Sequence, residues 1–163
     1  GVQANDLEGP LRLRGVRVSA SRGAGLQVIR GPIDAAEVDL SAAAGHGAYL
    51  EDVRGRIEGL RIRGSGEAGL AISGGVLWLS GVSVEGAGDT GLALWYGAQV
   101  EARGLDASSI TVREGARLRL DAASVATGLR ITCDGGGRVT LLGARGGERL
   151  LCPTAGDVEA PAR

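Results

Sequence analysis

Gly25-Leu26-Gln27-Val28, Gly47-Ala48-Tyr49-Leu50, Gly69-Leu70-Ala71-Ile72 and Gly91-Leu92-Ala93-Leu94 follow one another at steps of 22 residues. Each is a glycine and then an apolar-x-apolar triplet. A second set keeps the step: Leu11/Leu13, Ile33/Ala35, Gly55/Ile57, Leu77/Leu79 and, after 23 residues, Val100/Ala102. A third does the same with Val16/Val18, Val38/Leu40, Leu60/Ile62, Val82/Val84 and Leu105/Ala107. Apolar-x-apolar triplets send alternate side chains to opposite sides, the strand period of two. Glycine and β-branched residues both disfavour helix, and glycine suits corners that need φ > 0 or close approach. No triplet can bury its apolar side alone. Successive turns stacked about 4.8 Å apart do bury it, so the pattern predicts an all-β solenoid with three short strands per turn.

The C-terminal third continues with looser spacing. Ile110/Val112 and Leu129/Ile131 extend the first set at intervals of 18 and 19, Leu118/Leu120 and Val139/Leu141 the second, and Ala123/Val125 the third. Six to seven turns are expected. Residues 1–10 read as a lead-in too short for a capping helix, 11–152 as the solenoid, and 153–163 as a polar, Pro-containing tail that peels away or drapes over the last turn.

On these repeats, over roughly residues 11–142, the chain resembles the right-handed parallel β-helix repeat family, the pectate-lyase-like superfamily. The resemblance implies three strands per turn and a polysaccharide groove on the first-strand face. Left-handed hexapeptide helices need strict six-residue units and pentapeptide proteins a five-residue register; residues 11–107 show neither.

Composition narrows the function. Of 163 residues 30 are glycine, phenylalanine and methionine are absent, and the aromatics are Tyr49, Trp78, Trp95 and Tyr96. Apolar content of 44% marks a chain that folds. All 18 basic residues are arginine, and 19 acids leave a net charge of −1, which argues against nucleic-acid partners that need a strong positive field. No apolar run approaches membrane-spanning length. The start at Gly1-Val2-Gln3, without an initiator Met or a signal-peptide pattern, reads as that of a mature product or an excised segment.

Residues between the inward pairs should stack in outward ladders. The second strand gives Arg12, Asp34, Arg56, Trp78, Glu101, Arg119; the third gives Arg17, Asp39, Arg61, Ser83, Asp106, Ser124. Opposite charges alternate, as direct cross-strand neighbours prefer. These ladders read as solvated pairing, not catalysis.

The first-strand face differs. Its outward positions are Gln27, Tyr49, Ala71, Ala93, Thr111, Arg130 and, two residues on, Ile29, Glu51, Ser73, Trp95, Arg113, Thr132. Small residues open a shallow trough where Tyr49, Trp95 and Tyr96 gather. Sugar rings pack on such aromatics, and Glu51 and Arg113 offer hydrogen bonds to hydroxyls and carboxylates. Tyr49, Glu51, Trp95, Tyr96 and Arg113 are therefore the candidate ligand-binding residues.

Catalysis finds less support. Gly45-His46-Gly47 resembles the Gly-His-Gly motif of polygalacturonases, and Arg61-Ile62-Arg63 resembles their Arg-Ile-Lys. Glycoside hydrolysis also needs a carboxylate pair, yet one turn before His46 stands Ala24. Pectate-lyase chemistry needs a calcium cage of oxygen ligands, while this face offers Glu51 and Asp52 and then nothing acidic until Asp89 and Glu114. A single histidine leaves no His-rich metal site and no triad with a nucleophile elbow. No metal or cofactor is expected.

Cys133 and Cys152 lie 19 residues apart, near the local turn length. Aligning Leu129/Ile131 with Arg149/Leu151 places the cysteines on adjacent turns, within disulfide reach. The alternative is a stack of two reduced thiols. A disulfide implies an oxidising compartment. The chain thus reads as a non-catalytic extracellular or cell-envelope module, structural or polysaccharide-binding. The alternatives are a lyase or hydrolase relative, and a protein–protein scaffold that assembles with itself or another protein through its ends.

Overall fold

The computed structural model describes residues 1–121, 129–144, 147–152 and 156–159. Among them there is no helix, and so none long and apolar enough to cross a membrane. The chain winds as a parallel β-solenoid of about six turns, with stacked coils about 22 residues apart. The first coil is three separate strands, β1 (Val2–Asn5), β2 (Leu11–Arg14) and β3 (Arg17–Ser19). In the next two coils these merge into single bent strands, β4 (Leu26–Ala43) and β5 (Ala48–Ser65). The path continues through β6 (Leu70–Ser73), β7 (Val76–Ala87), β8 (Leu92–Trp95), β9 (Gln99–Asp106), β10 (Ser109–Val112) and β11 (Arg117–Asp121). It ends with β12 (Arg130–Cys133), β13 (Arg138–Ala144), β14 (Gly147–Leu150) and β15 (Gly156–Glu159).

Many corners turn on residues in the left-handed region. One column stacks Gly15, Glu37, Gly59, Gly81 and Gly104, with φ between 55° and 64°. The repeat glycines Gly47 and Gly69 serve another purpose. A Cβ on Gly47 would collide with the Ile62 side chain and lie 2.6 Å from the Gly69 carbonyl oxygen. On Gly69 it would collide with Val84 and lie 2.8 Å from the Gly91 oxygen. Close approach of the corner to the third face, not φ, explains the glycine that opens each triplet.

Register follows the aliphatic pairs. On the second face Leu11, Ile33, Gly55, Leu77, Val100, Leu118 and Val139 stack one on the next. Inward side chains such as Leu26, Val28, Ile57, Leu60, Ile62, Leu94 and Ile110 are fully buried in one continuous core. Stacking also reaches upstream of Leu11, because Val2–Asn5 pairs in parallel with Leu26–Ile29.

Three expectations need correction. Ile110 pairs with Ile131 and Val112 with Cys133, so the last inward pair of the first face is Ile131/Cys133, not Leu129/Ile131. Thr132 therefore stacks on Thr111, and Arg130 on Ser109. A slip of two residues leaves every side chain on its own side of the sheet, so alternation alone does not reveal it. Secondly, Arg149 and Leu151 do not begin another coil. The chain reverses after β13, β14 pairs with it antiparallel with Arg149 opposite Leu141, and β15 pairs antiparallel with β12. This reversal covers the strand edges that a solenoid would otherwise leave open at this end. Thirdly, Arg12 stands opposite Asp34, yet the ion pair is made by Arg14, which lies 2.8 Å from the carboxylate and also donates to the Asp34 carbonyl oxygen. Ala123/Val125 and Ser124 lie outside the described residues.

The rest of the ladders pair as expected. Arg56 holds Asp34 at 2.9 Å, Asp39 sits between Arg17 and Arg61 at 3.6 and 3.7 Å, and Arg119 is 3.7 Å from Glu101. Hydrogen bonding by Arg56, then Arg14, holds the Asp34 carboxyl below its ordinary range.

Candidate functional site

The first face brings the candidate residues onto three neighbouring columns. Tyr49, Ala71, Ala93 and Thr111 stack in one, Glu51, Ser73 and Trp95 in the next. Arg113 extends the second, its backbone N–H donating to the Leu94 carbonyl one coil away. Tyr96 occupies the corner that follows, at φ 51° and 67% exposed. A bulky residue in the left-handed region is uncommon; here the whole corner column, from Arg30 through Asp52 to Glu114, shares that conformation.

The trough expected between the aromatics is filled by the aromatics themselves. Ala71 and Ala93 face outward yet are only 0% and 4% exposed, because Tyr49 and Trp95 pack over them and over Ala68. Small side chains on the middle coil let rings from the coils on either side lean together. His46 joins them. Its ring stacks on Tyr49 with centroids 5.5 Å apart and planes 16° from parallel, and lies 6.5 Å from Trp95 at a 50° tilt. Weighing Gly45-His46-Gly47 only as a likeness to a hydrolase motif missed this. The available signal was that His46 precedes the first-face triplet whose middle residue is aromatic.

Polar contacts fix the rings. Tyr49 donates its hydroxyl proton to Glu51 at 2.8 Å. Burial, reinforced by that hydrogen bond and the Glu51 charge, pushes the Tyr49 phenol up to about 12. His46 Nε2 lies 3.1 Å from a Glu67 carboxylate oxygen, while its Nδ1 is buried without a hydrogen-bond partner among the described residues. That arrangement puts the imidazole proton on Nε2, donated to Glu67. The surface presented is a rigid aromatic plate over an alanine floor, edged by Glu51 and by exposed Tyr96 and Arg113.

Two carboxylates near the plate are already engaged, Glu51 by Tyr49 and Glu67 by His46. Among the described residues no cluster of three metal-ligating side chains occurs. Cys133 and Cys152 are joined in a disulfide, with Cα atoms 6.1 Å apart. No family model matches the chain, and no curated protein or solved structure does.

Proposed function

We propose that this solenoid is a non-catalytic glycan-recognition module of an extracellular or cell-envelope surface, related to pectate-lyase-like parallel β-helices. One observation carries the reading: Tyr49 and Trp95 are seated on outward-facing, buried alanines on the face without a charge ladder. An aromatic plate held from beneath loses little conformational freedom when a sugar ring packs on it. Glu51 and Arg113 at its edge suit hydroxyls. The disulfide supports an oxidising compartment. The three-faced coil of about 22 residues supports the kinship.

The test uses a Trp78→Phe variant, in which Trp95 is the only indole of the chain. Titrating it with a panel of plant, bacterial and algal oligosaccharides should shift Trp95 emission saturably for at least one glycan. No saturable shift across the panel would overturn the assignment of the plate.

A second reading has its own observation. Val2, Leu7, Leu11, Leu13, Val16 and Val18 of the first coil are only partly buried against the core. Such an apolar end favours end-on assembly with another β-coil. Sedimentation over a range of concentrations tests it, with a constant monomer mass as the contrary result.

A further inference from the structure

A groove of about 450 Å³ lies on the second face, away from the aromatic plate. Its long side is one register column: Trp78, Glu101, Arg119, Thr140 and Leu150 stack on successive strands β7, β9, β11, β13 and β14. Four strand steps make it about 19 Å long. Trp78 and Leu150, the end posts, are 55% and 49% exposed, unusual for large apolar side chains in this molecule. Beside this column runs a second, Gln99, Arg117 and Arg138. The charge ladder fails here. Arg117 and Arg138 sit on adjacent strands as like charges and make no ion pair among the described residues. Among the described residues Glu101 is the only acid lining the groove, and it is shared by Arg119 and Arg103. Among the described lining residues, three arginines against one glutamate leave an excess of two positive charges, in a protein whose net charge is −1.

We infer that this groove is a second binding site, for a linear glycan that carries carboxylates. Like charges stacked on neighbouring strands are destabilising unless an anion lies across them, and guanidinium forks match carboxylates bidentately. The exposed indole at one end supplies an apolar platform for a sugar ring. An acidic peptide fits less well. Peptides add to sheets at free edges, and β7, β9, β11 and β13 under the groove each have a partner on both sides, β14 at the Leu150 end being paired on one side alone. Along those four strands only side chains remain to recognise the ligand. The site stands whether or not the Tyr49 plate binds anything.

A Trp95→Phe variant leaves Trp78 as the only indole, so its emission reports this groove. Alginate oligosaccharide should shift that emission saturably, and its carboxyl-reduced, neutral form should not. Calorimetry should show affinity falling about tenfold or more in Trp78→Ala and in Arg117→Gln/Arg138→Gln, the loss expected for charge-assisted contacts. These side chains are exposed, and unchanged circular dichroism verifies the fold; Arg138→Gln alone repeats the test with one charge removed. Absence of saturable binding overturns the proposal, as does undiminished binding by the double variant. Equal affinity for poly-glutamate, or tighter binding of a sulfated glycan, overturns the choice of a carboxylated glycan. Loss of binding in Trp95→Ala but not in Trp78→Ala would assign the ligand to the first face instead.

Discussion

Cys133 closes the last parallel strand of the first face, and its disulfide partner Cys152 sits between the two strands, β14 and β15, that run back antiparallel over that end. The bridge therefore ties the final coil to its own cap. Ellman titration of the unfolded, unreduced protein should find no free thiol. Closing a loop of 19 residues contributes about 3 kcal/mol through the unfolded chain. Cys133→Ser/Cys152→Ser should lose about that much in denaturant unfolding. Two free thiols would contradict the bridge.

The glycines that open the triplets are required by contact. Gly69→Ala drives a methyl into Val84 and towards the Gly91 oxygen, and should destabilise by about 1–3 kcal/mol, as overpacking does. Gly23 lies in a corner with nothing within 4 Å of its would-be Cβ. Gly23→Ala should stay within about 0.5 kcal/mol of the parent. Equal effects at both positions in thermal unfolding would refute the contact argument.

These positions show what was legible beforehand. The second face was readable throughout, because changes of spacing near Leu105 and Leu118 carry aliphatic pairs with them. On the first face Leu129, Ile131 and Cys133 are all buried, so a shift by two conserves the pattern and hides the true register. The reversal after β13 was invisible for a related reason: one extended strand alternates alike whether it runs parallel or antiparallel. The plate was half legible. Tyr49 and Trp95 could be placed on one face, but His46 lies outside the strands, and whether rings fill a trough or flank it depends on side-chain packing across three coils.

Tyr49 and Glu51 make a titratable pair with a definite sign. Burial and Glu51 raise the phenol to about 12 from an ordinary 10.0. A raised folded-state value contributes stability that is fully present below pH 10.0 and lost as pH rises through about 12. In Glu51→Gln the carboxylate charge is gone while burial remains. The phenolate absorbance midpoint of Tyr49 should then drop below that of the parent yet stay above 10.0. An unmoved midpoint would mean that Glu51 does not act on Tyr49.

Tyr96 separates stability from function. Its left-handed backbone costs an L-residue about 1–2 kcal/mol, part of which glycine forfeits as unfolded-state freedom. Tyr96→Gly should therefore stabilise the fold by about 0.5–1 kcal/mol while weakening glycan binding at the plate. Stabilisation with undiminished binding would remove Tyr96 from the site.

The most direct measurement is a glycan-array screen of Trp78→Ala/Arg117→Gln/Arg138→Gln protein, in which the second-face groove is disabled, beside the same protein carrying Trp95→Ala, with product formation followed on the same polysaccharides. The account predicts binding that disappears in Trp95→Ala, an unchanged fold, and no new reducing ends or unsaturated products. Product release, or binding that Trp95→Ala leaves intact, would contradict a non-catalytic recognition module built on this face.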